Sequence, residues 1–61
     1  MKRLLLEQKL KVLDCDFHRR GGNHDIWIYE NGRKFPLARH SDIDERLAKS
    51  ILNKARQNRM R

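Results

Sequence analysis

The sequence predicts a small α+β domain in which two helices pack on one face of a three-stranded antiparallel sheet. Three observations indicate this fold: an amphipathic stretch at each end of the chain, three short strand-like stretches between them, and glycine turns that separate these strands. Helices that flank an antiparallel sheet are typical of α+β layer packing. At 61 residues the chain has room for one domain, expected over residues 1–61.

The first element is predicted as a helix over about residues 2–13. Leu6, Leu10 and Leu13 recur at spacings of four and three, which places them on one helical face. Lysines and arginines occupy other positions of the stretch, so the helix is expected to pack on the sheet through its leucines.

Three strands are predicted at about residues 15–20, 25–30 and 33–38. The second contains Ile26-Trp27-Ile28-Tyr29, and such β-branched and aromatic residues favour strands. Gly21-Gly22-Asn23 is expected to form the first turn, and Asn31-Gly32 a two-residue hairpin turn. Pro36 cannot donate a ladder hydrogen bond, which predicts an edge position for the third strand.

Alternation along the second strand predicts which side chains face the helices. Trp27 and Tyr29 have one parity, and His24, Ile26 and Ile28 have the other. Because Trp27 is the largest apolar side chain, we expect it to face the helices. His24 is then expected on the open face or its rim, beside exposed Ile26 and Ile28.

The last element is predicted as a helix over about residues 42–57, with Ser41 or Asp42 as its N-cap. Acidic side chains in the first turn suit the positive end of the helix dipole. The expected apolar stripe consists of Ile43, Leu47, Ile51, Leu52 and Ala55.

The charge balance favours a polyanionic partner. Fifteen Lys and Arg residues against eight Asp and Glu residues give a net charge of +7, which suits nucleic acid, an acidic protein or a membrane surface. The longest apolar run, Ile26 to Tyr29, is too short to span a membrane. A single cysteine excludes an internal disulfide and a thiolate zinc cluster, so we expect a cytosolic protein.

His24 is the candidate catalytic residue because an imidazole exchanges protons near neutral pH. Alternatively, it is a turn histidine that bonds local backbone. Gly21 and Gly22 either admit an RNA backbone or serve a turn that requires positive φ. No two histidines have a close ligand spacing, so no metal site is expected. The basic residues that either neutralise phosphates or are solvated surface charge are Arg19, Arg20, Lys34 and Arg39.

Four stretches resemble the HicA family: residues 19–27, containing Gly22-Asn23-His24, and residues 31–34, 37–40 and 48–55. HicA proteins are bacterial mRNA interferases, the toxins of toxin–antitoxin pairs, with a fold like that of double-stranded-RNA-binding domains. Asp14-Cys15 stands where the family usually has a glycine and an aromatic residue, and acids replace the basic start of the RNA-binding domain's second helix.

The resemblance implies a cytoplasmic, metal-independent endoribonuclease that cleaves mRNA through His24, without a cofactor. Gly22, Asn23 and the four basic residues are expected to support RNA binding. The implied partners are RNA and a HicB-type antitoxin that covers His24. The alternative function is a non-catalytic basic module that binds RNA or protein.

Overall fold

A computed structural model describes residues 1–59 and has the predicted element order. One helix precedes and one follows three antiparallel strands, and the strands form an open sheet. The predicted α+β class is therefore confirmed. The elements are α1 (Arg3–Val12), β1 (Asp16–Arg20), β2 (His24–Ile28), β3 (Lys34–Ala38) and α2 (Glu45–Gln57).

The sheet has the order β1-β2-β3, so β2 is central and β3 is an edge strand. The edge position predicted from Pro36 is therefore confirmed, since its missing N–H costs no ladder bond there. Between β2 and β3, His24 pairs with Ala38 and Ile26 pairs with Pro36. This register fixes which side chains of the two strands share a face.

One face of the sheet forms the core with both helices. Trp27 is 2% exposed and faces the helices, as its parity predicts. Ile26 and Ile28 lie on the opposite face as expected, but they are half-buried and not exposed. The expected apolar stripe of α2 was wrong at two positions, the first being Ile43, which is buried but precedes the helix. Ala48 is fully buried, whereas Leu47 is 49% exposed. The buried apolar residues are Leu6, Leu10, Cys15, Trp27, Tyr29, Phe35, Leu37, Ile43, Ala48, Leu52 and Ala55.

A β-bulge interrupts β1 and changes the direction of its basic side chains. Phe17 pairs with Trp27, but the next paired residue, Arg19, already faces Ile26, so His18 is the extra residue. The bulge brings Arg19 to the open face although Phe17 packs edge-on against Trp27 on the other. Simple alternation in the sequence does not reveal this shift.

The second turn differs from the expected two-residue hairpin. The Tyr29 carbonyl accepts a bond from the Gly32 amide, and the Tyr29 amide donates to the Arg33 carbonyl. Gly32 has a φ of +91°, so the connection is a three-residue loop with glycine in the left-handed position. The Asn31 side chain accepts a bond from the Arg33 amide and fills the turn instead of occupying a left-handed position itself. Consequently β2 ends at Ile28, two residues before the predicted end.

The start of α2 also differs from the prediction, since the helix begins at Glu45 with Asp44 at its N-cap position. Residues 41–43 are held in an extended pairing with the start of the chain. The Ile43 amide donates to the Met1 carbonyl, and the Arg3 amide donates to the Ser41 carbonyl. This long-range pairing prevents Ser41 and Asp42 from capping the helix.

Candidate active site

The open face of the sheet carries the candidate histidine. Three side chains of β2, His24, Ile26 and Ile28, run along its middle, and Arg19 of β1 flanks Ile26. On the β3 side the paired residues are Ala38, Pro36 and Lys34. A histidine, half-buried isoleucines and basic side chains therefore share one uncovered surface.

His24 is the first residue of β2 and its side chain is exposed. Its strand position differs from the prediction, which began β2 at residue 25. Pairing with Ala38 anchors its backbone to β3, while its imidazole remains open to solvent. His24 therefore combines a fixed backbone with an accessible proton-exchanging group.

The turn before His24 does not require positive φ at Gly21 or Gly22. Among the glycines of residues 1–59, Gly32, in the other turn, is the one in the left-handed region. Gly21 is required for a different reason. A Cβ there would lie closer than 3.0 Å to the His24 carbonyl oxygen, a separation that Cβ atoms essentially never show. A Cβ on Gly22 would meet no atom within 4 Å, so this residue leaves open space beside the histidine.

Arg39, which the sequence predicts as a phosphate-binding residue, makes contacts within the chain. Its guanidinium donates to the Gly21 carbonyl at 3.3 Å and to the Gly22 carbonyl. It also donates to Asp25 at 3.4 Å. These contacts tie the glycine turn to the end of β3, so Arg39 holds the segment that leads into His24.

Asp25 is a residue near the candidate site that the sequence pattern does not single out. It is 8% exposed and accepts a second bond, at 2.5 Å, from Arg3 of α1. Arg3 also donates to Glu7 at 2.8 Å. The position of Asp25 in the strand indicates this role, because alternation places Asp25 on the same face as Trp27. A carboxylate on a buried face requires cationic partners.

The remaining predicted residues lie at different distances from His24. Arg19 is diagonal to His24 across the strand pair, within reach of a long side chain. Arg20 is exposed and lies opposite Asp25 in the register of β1 and β2. Asn23 is exposed and lies in the turn. Lys34 pairs with Ile28, about 13 Å along the sheet from His24 at roughly 3.3 Å per residue. Lys34 is therefore the candidate basic residue of this face that lies farther from His24, and Arg19 is the nearer one.

Residues 1–59 contain no cluster of three or more His, Cys, Asp or Glu side chains that could hold a metal ion. The described helices likewise include none long and apolar enough to cross a membrane. Cys15 is buried in the core. Burial, with smaller contributions from Asp14 and Glu30, raises the pKa of its thiol to about 11.

A comparison with protein families matches residues 6–57 to the family described as the HicA toxin of bacterial toxin–antitoxin systems. This match spans most of the chain and includes each predicted site residue. The chain belongs to the HicA toxin family. Toxins of such systems act with an antitoxin, so membership in the HicA family implies an antitoxin partner. No curated protein and no solved structure matches the chain.

Proposed function

We propose that this HicA-family chain is an endoribonuclease that cleaves mRNA without a metal ion and uses His24 for proton transfer. The observation that carries the proposal is the exposed imidazole on an open, basic sheet face, directly after a turn held by Arg39. The family match supports a toxin, and RNase activity is the general activity of HicA toxins.

RNA supplies its own nucleophile, and the proposed reaction uses it. The 2′-oxygen attacks the adjacent phosphorus as its proton leaves, the bond to the 5′-oxygen breaks, and that oxygen receives a proton. The products are a 2′,3′-cyclic phosphate and a 5′-hydroxyl. His24 exchanges one of these two protons. Arg19 stabilises the negative charge that develops on the phosphate oxygens.

The roles of the other candidate residues follow from their positions. Gly22 and Asn23 form the surface against which the RNA backbone lies, since Gly22 has no neighbour to obstruct it. Arg20 and Lys34 neutralise phosphates away from the reacting one. Arg39 acts as a positioning residue, because its guanidinium is engaged by carbonyl groups and Asp25.

The test compares two exposed histidines. His24→Ala should reduce the cleavage rate by about 10²–10⁴-fold, the usual contribution of a positioned acid–base group. His18→Ala, at the bulge of β1, is the matched control and should leave the rate within a few-fold. A folded His24→Ala protein that cleaves RNA within about tenfold of the wild-type rate would refute the role of His24.

The same experiment distinguishes the alternative function, a non-catalytic basic module that binds RNA or protein. Both functions predict RNA binding that weakens with salt. The cleavage mechanism alone predicts that a 2′-O-methyl group at the cut site prevents strand scission while binding persists. Wild-type protein that binds RNA but leaves every strand intact would favour the binding module.

We further propose that the antitoxin is of the HicB type and inhibits by covering the open face. Half-buried Ile26 and Ile28 provide apolar anchors for a partner, and the net charge of +7 favours one that is acidic. Its carboxylates would pair with Arg19 and Lys34, which lie opposite Ile26 and Ile28 on that face. Competition binding with the His24→Ala protein tests this model, and simultaneous, independent binding of RNA and antitoxin would contradict it.

A further inference from the structure

A groove leads from His24 around the edge of the sheet to α2. We call it the β3–α2 groove; its volume is about 270 Å³. One side includes His24, Pro36 and Ala38, and the other includes Leu47, Ile51 and Lys54. Because His24 and Ala38 are paired residues of the sheet, the groove begins directly at the candidate catalytic group.

The helix contributes a separate stripe of side chains to this groove. Leu47, Ser50, Ile51 and Lys54 all line it, and their spacing of three, four and seven residues places them on one side of α2. The core uses a neighbouring stripe that includes Ala48 and Leu52. Leu47 is therefore 49% exposed because it belongs to the groove wall and not to the core.

We propose that the β3–α2 groove binds one nucleotide of the RNA strand, adjacent to the phosphate that is cleaved at His24. The proposal rests on the ribonuclease function above and extends it to the location of the substrate. The base would pack between Pro36 and the apolar side chains of α2, and Lys54 would contact the phosphate at the far end of that nucleotide.

The chemistry of the groove fits this occupant better than a purely apolar one. Its middle is apolar, as a nucleobase face requires, and a histidine and a lysine lie among its lining residues. Its volume is slightly below the roughly 300 Å³ at which pockets for drug-sized ligands begin, which suits a single nucleotide. An unstacked, single-stranded segment can place one base in such a groove.

The experiment measures binding of a short 2′-O-methyl RNA oligonucleotide, which has no free 2′-hydroxyl for the proposed cleavage, to protein that retains His24. Lys54→Ala is compared with Lys49→Ala, since both lysines are exposed on α2 and Lys49 does not line the groove. Loss of one phosphate contact should reduce the magnitude of the slope of log K against log salt by about 0.7 for Lys54→Ala. We expect the slope to be unchanged for Lys49→Ala.

A second readout is the methyl NMR signals of Leu47 and Ile51, which should shift saturably with the oligonucleotide. Leu47→Ala should weaken binding without changing the salt slope, because it removes apolar contact alone. Equal slopes for the two lysine variants, or methyl signals that move with antitoxin but not with RNA, would overturn the proposal. Catalysis plays no part in these measurements, so failure of the proposed ribonuclease function would appear separately, in the cleavage assay.

Discussion

Gly21→Ala and Gly22→Ala form a matched pair that tests how the turn before His24 is held. At position 21 the new Cβ would lie closer than 3.0 Å to the His24 carbonyl oxygen, a backbone atom that cannot rotate away. At position 22 it would meet nothing within 4 Å. The two substitutions make the same chemical change at neighbouring positions, so a difference between them reports this contact.

The expected magnitudes have opposite signs. Overpacking typically costs about 1–3 kcal/mol, which for a domain of this size lowers Tm by roughly 4–24 °C. At Gly22, alanine restricts the unfolded chain and is expected to stabilise the protein by about 0.4–1 kcal/mol. A domain of 61 residues has a total stability of about 3–9 kcal/mol, so the loss in Gly21→Ala is a large fraction of the total and gives a measurable fall in Tm.

Thermal unfolding is measured in protein that carries His24→Ala, which leaves the carbonyl of residue 24 in place. Trp27 is the single tryptophan and is 2% exposed, so its fluorescence reports loss of the core. Equal melting temperatures for the two variants, or a higher one for Gly21→Ala, would refute the close contact. This test of the turn does not depend on RNA cleavage.

Three further predictions concern residues around the site and in the core. Arg39→Lys should lower kcat more than it raises KM, because one amine cannot hold both glycine carbonyls and Asp25. An unchanged kcat would exclude a positioning role for Arg39. The Cys15 thiol should react slowly with iodoacetamide at pH 8 unless the protein is unfolded. Burial destabilises the native thiolate and raises the pKa of Cys15 from 9.0 to about 11, so the thiol makes stability fall as pH rises between these values. Cys15→Ala should remove this contribution, whereas Tyr29, whose pKa burial also raises, keeps its own. Urea denaturation should show that Ala48→Leu lowers the free energy of unfolding by about 1–3 kcal/mol, because Ala48 is fully buried. Leu47→Ala, at a half-exposed position, should change it by less than about 0.5 kcal/mol.

The contacts around the turn before His24 show where sequence patterns stop being sufficient. The sequence places His24 after a glycine turn, and the structure adds that Arg39 and Asp25 hold this turn. From the sequence alone, Arg39 is one of several basic residues that could bind phosphate. In the structure its guanidinium contacts carbonyl groups, because folding brings the end of β3 beside the glycine turn.

The sequence by itself determined the order of the elements, the edge position of β3 and the face on which Trp27 is buried. These follow from local rules: side chains alternate along a strand, proline lacks an N–H, and apolar residues recur at helical spacing. The same parity already placed His24, Ile26 and Ile28 together on the other face. Local rules suffice wherever a feature depends on residues close together in the chain.

Only the tertiary structure decided the features that depend on distant residues. The bulge at His18 is set by pairing with β2, and the late start of α2 is set by pairing of residues 41–43 with the start of the chain. Asp25 is satisfied by Arg3 and Arg39, which lie 22 and 14 residues away in sequence. The groove beside His24 likewise exists only because α2 packs next to the edge of β3. Each of these features results from long-range contacts that compete with local preference, and a pattern read along one segment contains no information about them.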